Sequence, residues 1–338
     1  MAATIGEVAK LAGVAVSTVS YAFSDKRTIS NAVREKVFEA AATLGYKPKS
    51  GWSRDEKSAR LIGLFGCNIA SIGNNIHVHQ ILMGIFENLN NTDYHALFIP
   101  DYSRSVSEKN IARLTKLNLF GAIVIEPKEN EDYAAFFREL KIPFVLIGRP
   151  DKAYEADINY VDIDNISLGY KSCEYLLERK FTDILFINGP DTLTVSEDRK
   201  KGVLLACEKY ATDDLHIELI NTEFSITEAH DAVLQLYSEK KPFSAIIASS
   251  DLQAIGALRA IVECGYECPN DVSIICTGET YLTTNAIPHI TGMDNTGSVI
   301  GGRAVNLLIR LISKELIRPS HIVMHSTLHE RDSVMTVN

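Results

Sequence analysis

The pattern of apolar residues at the start of the chain predicts two short helices joined by a tight turn. Apolar side chains recur there at intervals of three and four, which is the spacing of one helix face. The two stripes consist of Ile5, Val8, Ala9 and Ala12, and of Val16, Val19 and Phe23. Gly13-Val14 separates them, and a third helix is expected from Ala32 to Leu44 with Ser30 as its N-cap. Such a segment is typical of a helix-turn-helix, although a helical hairpin in a globular core has a similar pattern.

From Arg60 onward, short apolar runs alternate with longer amphipathic stretches. The runs begin near residues 61, 95, 122, 144, 184, 216, 245 and 272. Continuous apolar runs suit parallel strands buried on both faces, and the stretches between them are long enough for crossover helices. Two extra short segments, 160–165 and 289–295, fit crossings of the chain between lobes. The pattern therefore predicts an α/β body made of two doubly wound parallel-sheet lobes.

Composition indicates a soluble globular protein with more than one domain. The chain has 338 residues, of which 46% are hydrophobic, and no apolar run approaches the roughly 20 residues of a membrane helix. No signal peptide is visible, so a cytoplasmic location without membrane contact is expected. Six cysteines are scattered along the chain, and Cys264 and Cys268 have no second pair to complete a zinc site. We therefore expect reduced thiols and no bound metal.

The net charge of −9 is distributed unevenly along the chain. Residues 1–60 contain ten Lys and Arg and six Asp and Glu, and so carry +4. Residues 61–338 contain 24 Lys and Arg and 37 Asp and Glu, and so carry −13. A basic start can neutralise phosphates while an acidic body is repelled by DNA, which agrees with a DNA-binding head.

Several motifs at the start of the chain resemble the DNA-binding head of the lactose/galactose-repressor family of transcription regulators. They are Thr4-Ile5, Val8-Ala9, Leu11-Ala12-Gly13-Val14, Thr18-Val19-Ser20, Ile29-Ser30, Arg34-Glu35-Lys36-Val37 and Gly45-Tyr46-Lys47-Pro48. The resemblance implies a head at 1–48, a hinge at 49–60 and a ligand-binding core of periplasmic-binding-protein type at 61–338. The two lobes are expected at about 61–160 plus 290–318 and at about 161–289 plus 319–338.

The resemblance also implies which residues contact operator DNA. The second helix would enter the major groove, and a two-fold operator would require a homodimer. The DNA-binding residues expected from it are Thr4, Ser17, Thr18, Ser20, Tyr21, Arg54 and Lys57. The hinge departs from the family pattern, because Asp55 stands where a leucine normally wedges into the minor groove. Trp52 could replace that wedge, but the role of an exposed linker residue is the favoured interpretation.

Residues at predicted strand ends are candidates for binding an effector in a cleft between the lobes. The candidates are Asn68, His77, Glu126, Arg199, Phe224, Ser250, Asp251 and Glu279. The resemblance implies that Arg199 contacts the effector and that Phe224 lies against its face; a solvated arginine and a core phenylalanine are the alternatives. Asp251 could instead only cap its helix.

One cleft motif differs from the pattern of most sugar-responsive family members. Those members carry a Gly-Phe-Asp-Asp element after the strand that corresponds to Val272-Ser-Ile-Ile275, and the first aspartate of the element binds sugar hydroxyls. Here the stretch reads Cys276-Thr-Gly-Glu279, which leaves Gly278 in the aspartate's place. The resemblance implies a sugar or sugar derivative as the effector, and this departure makes a phosphorylated sugar or a nucleobase-like molecule the alternative.

The leading hypothesis is thus an effector-controlled transcription repressor of carbohydrate-utilisation genes. A doubly wound enzyme is the second hypothesis, but the sequence has no phosphate-binding loop, dinucleotide fingerprint or nucleophile elbow. We therefore expect no enzymatic activity and no cofactor. A solute-binding protein for transport is the third hypothesis, and the DNA-binding head argues against it.

Overall fold

The chain divides into two compact units, Met1–Arg60 and Leu61–Asn338. The computed structural model describes residues 3–24, 29–46, 59–66, 75–99, 108–127, 132–241, 243–294, 297–316 and 318–335. Among these residues, no helix is long and apolar enough to cross a membrane. The two units are described separately below.

The first unit contains three helices: α1 (Ile5–Ala12), α2 (Val16–Ser24) and α3 (Asn31–Leu44). Thr4 caps α1 through a reciprocal pair of hydrogen bonds with Glu7, and Gly13 ends the helix with a left-handed φ of 67°. The buried core consists of Val8, Ala9, Val19, Ala22, Val37, Ala40 and Ala41. The expected packing of Val16 was wrong: its side chain is 49% exposed, while Ala22 is buried. The small Ala22 therefore occupies the contact face of α2, and Val16 faces outward in the first turn.

The second unit consists of strands that alternate with helices. The strands are β1 (Arg60–Phe65), β2 (Tyr94–Phe98), β3 (Gly121–Ile125), β4 (Phe144–Ile147), β5 (Tyr160–Ile163), β6 (Asp183–Asn188), β7 (His216–Asn221), β8 (Ala245–Ala248), β9 (Ser273–Cys276), β10 (Thr291–Asp294), β11 (His321–Met324) and β12 (Thr327–His329). The helices are α4 (Ile76–Leu89), α5 (Glu108–Thr115), α6 (Tyr133–Leu140), α7 (Asn165–Glu178), α8 (Thr194–Lys209), α9 (Ile226–Ser238), α10 (Asp251–Glu263), α11 (Tyr281–Thr284) and α12 (Gly297–Ile312).

These strands form two six-stranded sheets, with the orders β11-β5-β4-β3-β1-β2 and β12-β10-β9-β8-β6-β7. The central pairs β3–β4 and β8–β9 run parallel, and β10–β12 is antiparallel. The sheets differ from the expected lobe boundaries in three strands. β5 and β11 pair with each other in the first sheet, and β10 pairs with β9 in the second. The chain therefore passes from the first sheet to the second between β5 and β6, returns between β10 and β11, and passes to the second sheet again between β11 and β12.

Glycines allow the crossover helices to pack at backbone distance. A Cβ added at Gly202 of α8 would lie 2.0 Å from the carbonyl oxygen of Ile166 in α7. A Cβ added at Gly169 of α7 would lie 2.2 Å from the carbonyl oxygen of Arg199. Each of the two helices therefore contributes a glycine that lies directly against the backbone of the other helix. This close contact fixes the position of α7 relative to α8.

Replacing Gly202 with alanine should destabilise the second unit by about 1–3 kcal/mol, the usual cost of overpacking a close contact. The exposed neighbour Lys201 provides the control, since Lys201→Ala should change stability by less than about 0.5 kcal/mol. Urea unfolding followed by circular dichroism measures both variants. Equal midpoints for Gly202→Ala and the wild type would contradict this account of the contact.

Candidate effector cavity and DNA-binding helix

A cavity lies where the carboxyl ends of strands from both sheets face each other. The space that atoms leave free in it, its open mouth included, is about 870 Å³. Six of the residues predicted for the effector line this cavity: His77, Glu126, Arg199, Phe224, Ser250 and Asp251. Asn68 lies outside the described residues. The strand-end argument thus predicted six of the residues that line the cavity, and the other lining residues were not among its candidates.

Arg199 is a deeply buried charged group in this wall, with 6% of the residue exposed. Its Nε donates to Oδ1 of Asn165 at 3.0 Å, and its Nη1 donates to the carbonyl oxygen of Ser249. Burial lowers the pKa of Arg199 to about 10. Within the described part of the chain, the guanidinium forms hydrogen bonds to neutral oxygens but no ion pair with a carboxylate. The interpretation of Arg199 as a solvated surface residue was therefore wrong.

A second arginine, Arg149, joins elements of the two lobes beside the cavity. It follows β4, and its Nε and Nη2 donate to both carboxylate oxygens of Asp198 in α8, at 2.7 and 2.9 Å. The Thr194 hydroxyl donates to the Arg149 carbonyl oxygen at 2.8 Å. Burial opposes the charge of Arg149, but the Asp198 carboxylate raises the pKa of the guanidinium above its ordinary value. A bidentate pair of this kind fixes the relative position of β4 and α8.

Sequence reasoning missed Arg149, although its position directly after a predicted strand was an available signal. It also missed Asp162, whose carboxylate faces the same cavity from β5. Asp162 accepts hydrogen bonds from the backbone N–H groups of Ile163 and Arg149, at 2.8 and 3.1 Å, and from the amide of Asn165 at 3.1 Å. Burial raises the pKa of Asp162 to about 7, and the nearby Asp198 charge adds to the effect. This carboxyl group therefore changes charge near neutral pH.

The first lobe contributes polar groups from the start of α4 and the end of β3. Asn75 caps α4 and donates from its amide to Glu126 Oε1 at 3.2 Å. Burial, together with the Arg199 charge, lowers the pKa of His77 to about 4. His77 is thus neutral at physiological pH and can present one donor and one acceptor.

The second lobe contributes an aromatic face and a short hydroxyl cluster. Phe224 lines the cavity, and a Cβ at Gly189 would lie 2.4 Å from its ring, so this glycine leaves room for the ring. Ser250 is the N-cap of α10, and its hydroxyl accepts from the Gln253 N–H at 3.2 Å. Asp251 accepts from the Thr280 hydroxyl at 2.6 Å and lines the cavity, and burial raises its pKa. The cap is therefore Ser250, not Asp251.

The expectation for Glu279 was wrong, because the structure does not bring this residue to the cavity. Its carboxylate lies 2.6 Å from Nδ1 of His329 and 2.8 Å from Nη2 of Arg331. Burial would raise the pKa of Glu279, but these two partners lower it overall. Gly278 and Thr280 line the cavity in its place. Gly278, which stands where the resemblance expects an aspartate, thus contributes no side chain to the wall.

Four of the DNA-binding candidates in the head lie on α2, and Thr4 lies at the start of α1. Ser17 is exposed, and Thr18, Ser20 and Tyr21 are half-buried. Val16 lies beside them on the exposed first turn, where sequence reasoning had not placed it. Thr4 is occupied as the cap of α1, since its hydroxyl donates to Glu7 Oε2 at 2.8 Å. Arg54 and Lys57, together with the whole interpretation of the hinge, lie outside the described residues.

Two family models match this chain. Residues 4–49 match the bacterial regulatory proteins of the lacI family, and residues 173–334 match a periplasmic binding protein-like domain. Similar proteins include the transcriptional regulator RegA of Clostridium saccharobutylicum, 26% identical over 99% of this chain and 100% of its own length. The probable repressor ExuR of Bacillus subtilis is 26% identical over 98% of both chains. The chain belongs to the lactose/galactose-repressor family.

Solved structures show the same fold. A transcriptional regulator CelR in complex with cellobiose has a TM-score of 0.74 and 24% identity, and the match covers 98% of this chain and 99% of that one. A lac repressor dimer bound to operator and an anti-inducer has a TM-score of 0.76 and 20% identity, covering 99% and 100%. The family models and the similar regulators, rather than these structures, identify the protein as a helix-turn-helix transcription regulator with a periplasmic-binding-protein-like body, and not an enzyme.

The raised pKa of Asp162 makes stability depend on pH in a defined direction. The folded chain binds a proton at this site up to about pH 7, whereas the unfolded chain releases it near pH 4, so ionisation opposes folding. Between pH 6 and pH 8 the wild type should lose about 1 kcal/mol of unfolding free energy relative to Asp162→Asn. Urea unfolding of both proteins at the two pH values measures this difference, and parallel pH profiles would contradict the assignment.

Proposed function

We propose that the protein is a homodimeric repressor whose operator affinity is controlled by a neutral sugar bound in the cavity. The observation that carries this proposal is the chemistry of the cavity wall. Arg199 offers donors, Glu126 and Asp251 offer acceptors, and the Phe224 ring offers an apolar face. Sugars present both hydroxyl groups and a C–H face, so a wall of this composition complements them.

The charges around the cavity favour a neutral effector over an anionic one. Two arginines line the cavity, but the charge of Arg149 is already neutralised by its ion pair with Asp198. Arg199 is therefore the lining arginine that could attract an anionic effector. Among the described residues of the wall, Glu126 and Asp251, joined by Asp162 in its ionised form, surround that cation with carboxylates and would repel a phosphate or carboxylate group. Gly278 adds space where an aspartate would otherwise contact the ligand. The phosphorylated sugar and the nucleobase remain the alternatives that the experiment below separates.

In the head, the first turn of α2 supports base contacts in the major groove. The N-terminal residues of a recognition helix are the ones that reach base edges. Val16 is 49% exposed in this turn, and an aliphatic side chain can contact a thymine methyl group. Ser17 and Tyr21 add hydroxyl groups for bases or phosphates. A dimer would place two such helices roughly one DNA turn apart.

The cleft assignment predicts that Arg199→Ala abolishes the response to the effector and retains operator binding. Gel shifts with genomic fragments identify the operator, and the panel contains glucose, cellobiose, a hexuronate, glucose 6-phosphate and hypoxanthine. Arg199→Lys keeps the charge but loses the planar fork, so its response should be weakened at least about tenfold. Lys201→Ala is the control and should respond like the wild type.

Circular dichroism and thermal unfolding confirm that each Arg199 variant is folded before binding is compared. A response of Arg199→Ala at wild-type effector concentrations would show that this residue does not contact the effector. A response of the wild type to the hexuronate, the phosphorylated sugar or hypoxanthine, without a response to a neutral sugar, would overturn the neutral-sugar proposal.

The head assignment predicts that Tyr21→Ala weakens or retargets operator binding by about 1–3 kcal/mol, the cost of one base-reading contact. Thr43→Ala, at an exposed position late in α3, serves as the control and should bind like the wild type. Fluorescence anisotropy on operator and on scrambled DNA at fixed salt measures both variants. Unchanged affinity and unchanged sequence preference in Tyr21→Ala would remove this residue from the interface.

A further inference from the structure

Two cysteines face each other across the contact between α7 and α8. The Sγ atoms of Cys173 and Cys207 lie 3.9 Å apart, in hydrogen-bonding range for thiols. Cys173 is fully buried and Cys207 is partly exposed. The sequence predicted only scattered, reduced thiols, because the two residues are 34 positions apart and only the fold brings them together.

The two cysteines lie between the same two helices that Arg199 and Asn165 connect. Asn165 and Arg199 hydrogen-bond at the start of α7 and α8, and Cys173 and Cys207 lie eight residues further along the same two helices. Eight residues of α-helix span about 12 Å. The two contacts are therefore linked by rigid helix on both sides, with the close glycine packing between them.

The environment gives the two thiols different chemistry. The side-chain hydrogen bond from Cys173 lowers the pKa of the Cys207 thiol. The same hydrogen bond, together with burial, raises the pKa of Cys173. A thiolate is the form that reacts with oxidants, so the partly exposed Cys207 is the attacking group and Cys173 the resolving one.

We propose that Cys173 and Cys207 form an oxidation site at which a peroxide generates a reversible disulfide between α7 and α8. The Cys207 thiolate attacks one peroxide oxygen, an S–O bond forms, and the O–O bond breaks to release hydroxide. The Cys173 thiol then attacks the sulfenic sulfur, loses its proton, and the S–O bond breaks as the S–S bond forms. Hydrogen peroxide is thereby reduced to two water molecules while two thiols are oxidised, and an added dithiol reverses the reaction.

The disulfide should change the end of the helices that faces the cavity. An S–S bond is about 2.05 Å long, so the sulfur atoms must approach by almost 2 Å from their present separation. The backbones are already in contact at Gly169 and Gly202, so the approach requires a side-chain rotation and a small shift of α8. The disulfide would then restrain any separation of α7 from α8, and with it the movement of Arg199, which lies on α8. Its effect on effector response rests on the proposed function, but its formation does not.

The first test treats the full-length protein with about a tenfold excess of hydrogen peroxide and then alkylates the remaining thiols. The intact mass before alkylation should fall by about 2 Da, and digestion should yield a linked peptide containing both cysteines. Cys173→Ala and Cys207→Ser should each abolish the linked peptide, whereas Cys264→Ser, which removes an exposed thiol, should leave it unchanged. Sulfinic acid on Cys207 without the linked peptide, or a disulfide between other cysteines, would overturn the proposal.

The second test measures hydrogen exchange of the oxidised and reduced proteins without DNA or effector. Amides of α7 and α8, including those next to Arg199, should exchange roughly tenfold more slowly after oxidation and recover with dithiothreitol. A disulfide that forms without altering exchange near Arg199 would refute the link to the cavity. Because neither test uses an operator or a sugar, their failure is distinguishable from failure of the proposed repressor function.

Discussion

The burial of the Arg199 guanidinium, which forms no ion pair with a carboxylate among the described residues, is the constraint on which the cavity depends. A charged group removed from water loses hydration, and the lowered pKa of Arg199 expresses that cost. Asn165 and the Ser249 carbonyl offset part of it with neutral hydrogen bonds, which also fix the guanidinium at the junction of α7, α8 and β8. An effector oxygen in the cavity would supply a further acceptor. The site is therefore arranged to gain more from a hydroxylated ligand than from a purely apolar one.

The same helix, α8, connects this arginine with the other lobe. Asp198, the residue before Arg199, binds Arg149 at the end of β4 in the first sheet. A movement of one lobe relative to the other must therefore break or carry along this bidentate pair. Since a half-buried arginine left without its carboxylate costs several kcal/mol, we infer that the pair moves as a unit during any lobe rotation. Under the proposed function, effector binding at Arg199 would thus be coupled to lobe position through two adjacent residues.

Much of the fold was predictable because its signals are local. Continuous apolar runs marked the strands, and the helix-turn-helix spacing together with the family motifs marked the head. Strand ends located Glu126 and Ser250 in the cavity. The order of the edge strands was not predictable in this way, since β5, β10 and β11 are assigned to a sheet only by pairing between distant segments.

The role of Glu279 was also missed, because its partners His329 and Arg331 lie 50 residues or more further along the chain. Val16 was misplaced because helical spacing alone cannot tell which end of a stripe reaches the core.

The central claim is that the cavity binds a neutral polyhydroxylated molecule through Arg199. Calorimetric titration of the full-length protein with each neutral sugar and its phosphorylated counterpart, at one pH and ionic strength, tests it most directly. The account predicts that a neutral sugar binds at least about tenfold more tightly than its phosphate ester, a difference of about 1.4 kcal/mol, and that Arg199→Ala loses this binding. Tighter binding of the phosphate ester, or unchanged sugar binding by Arg199→Ala, would contradict it.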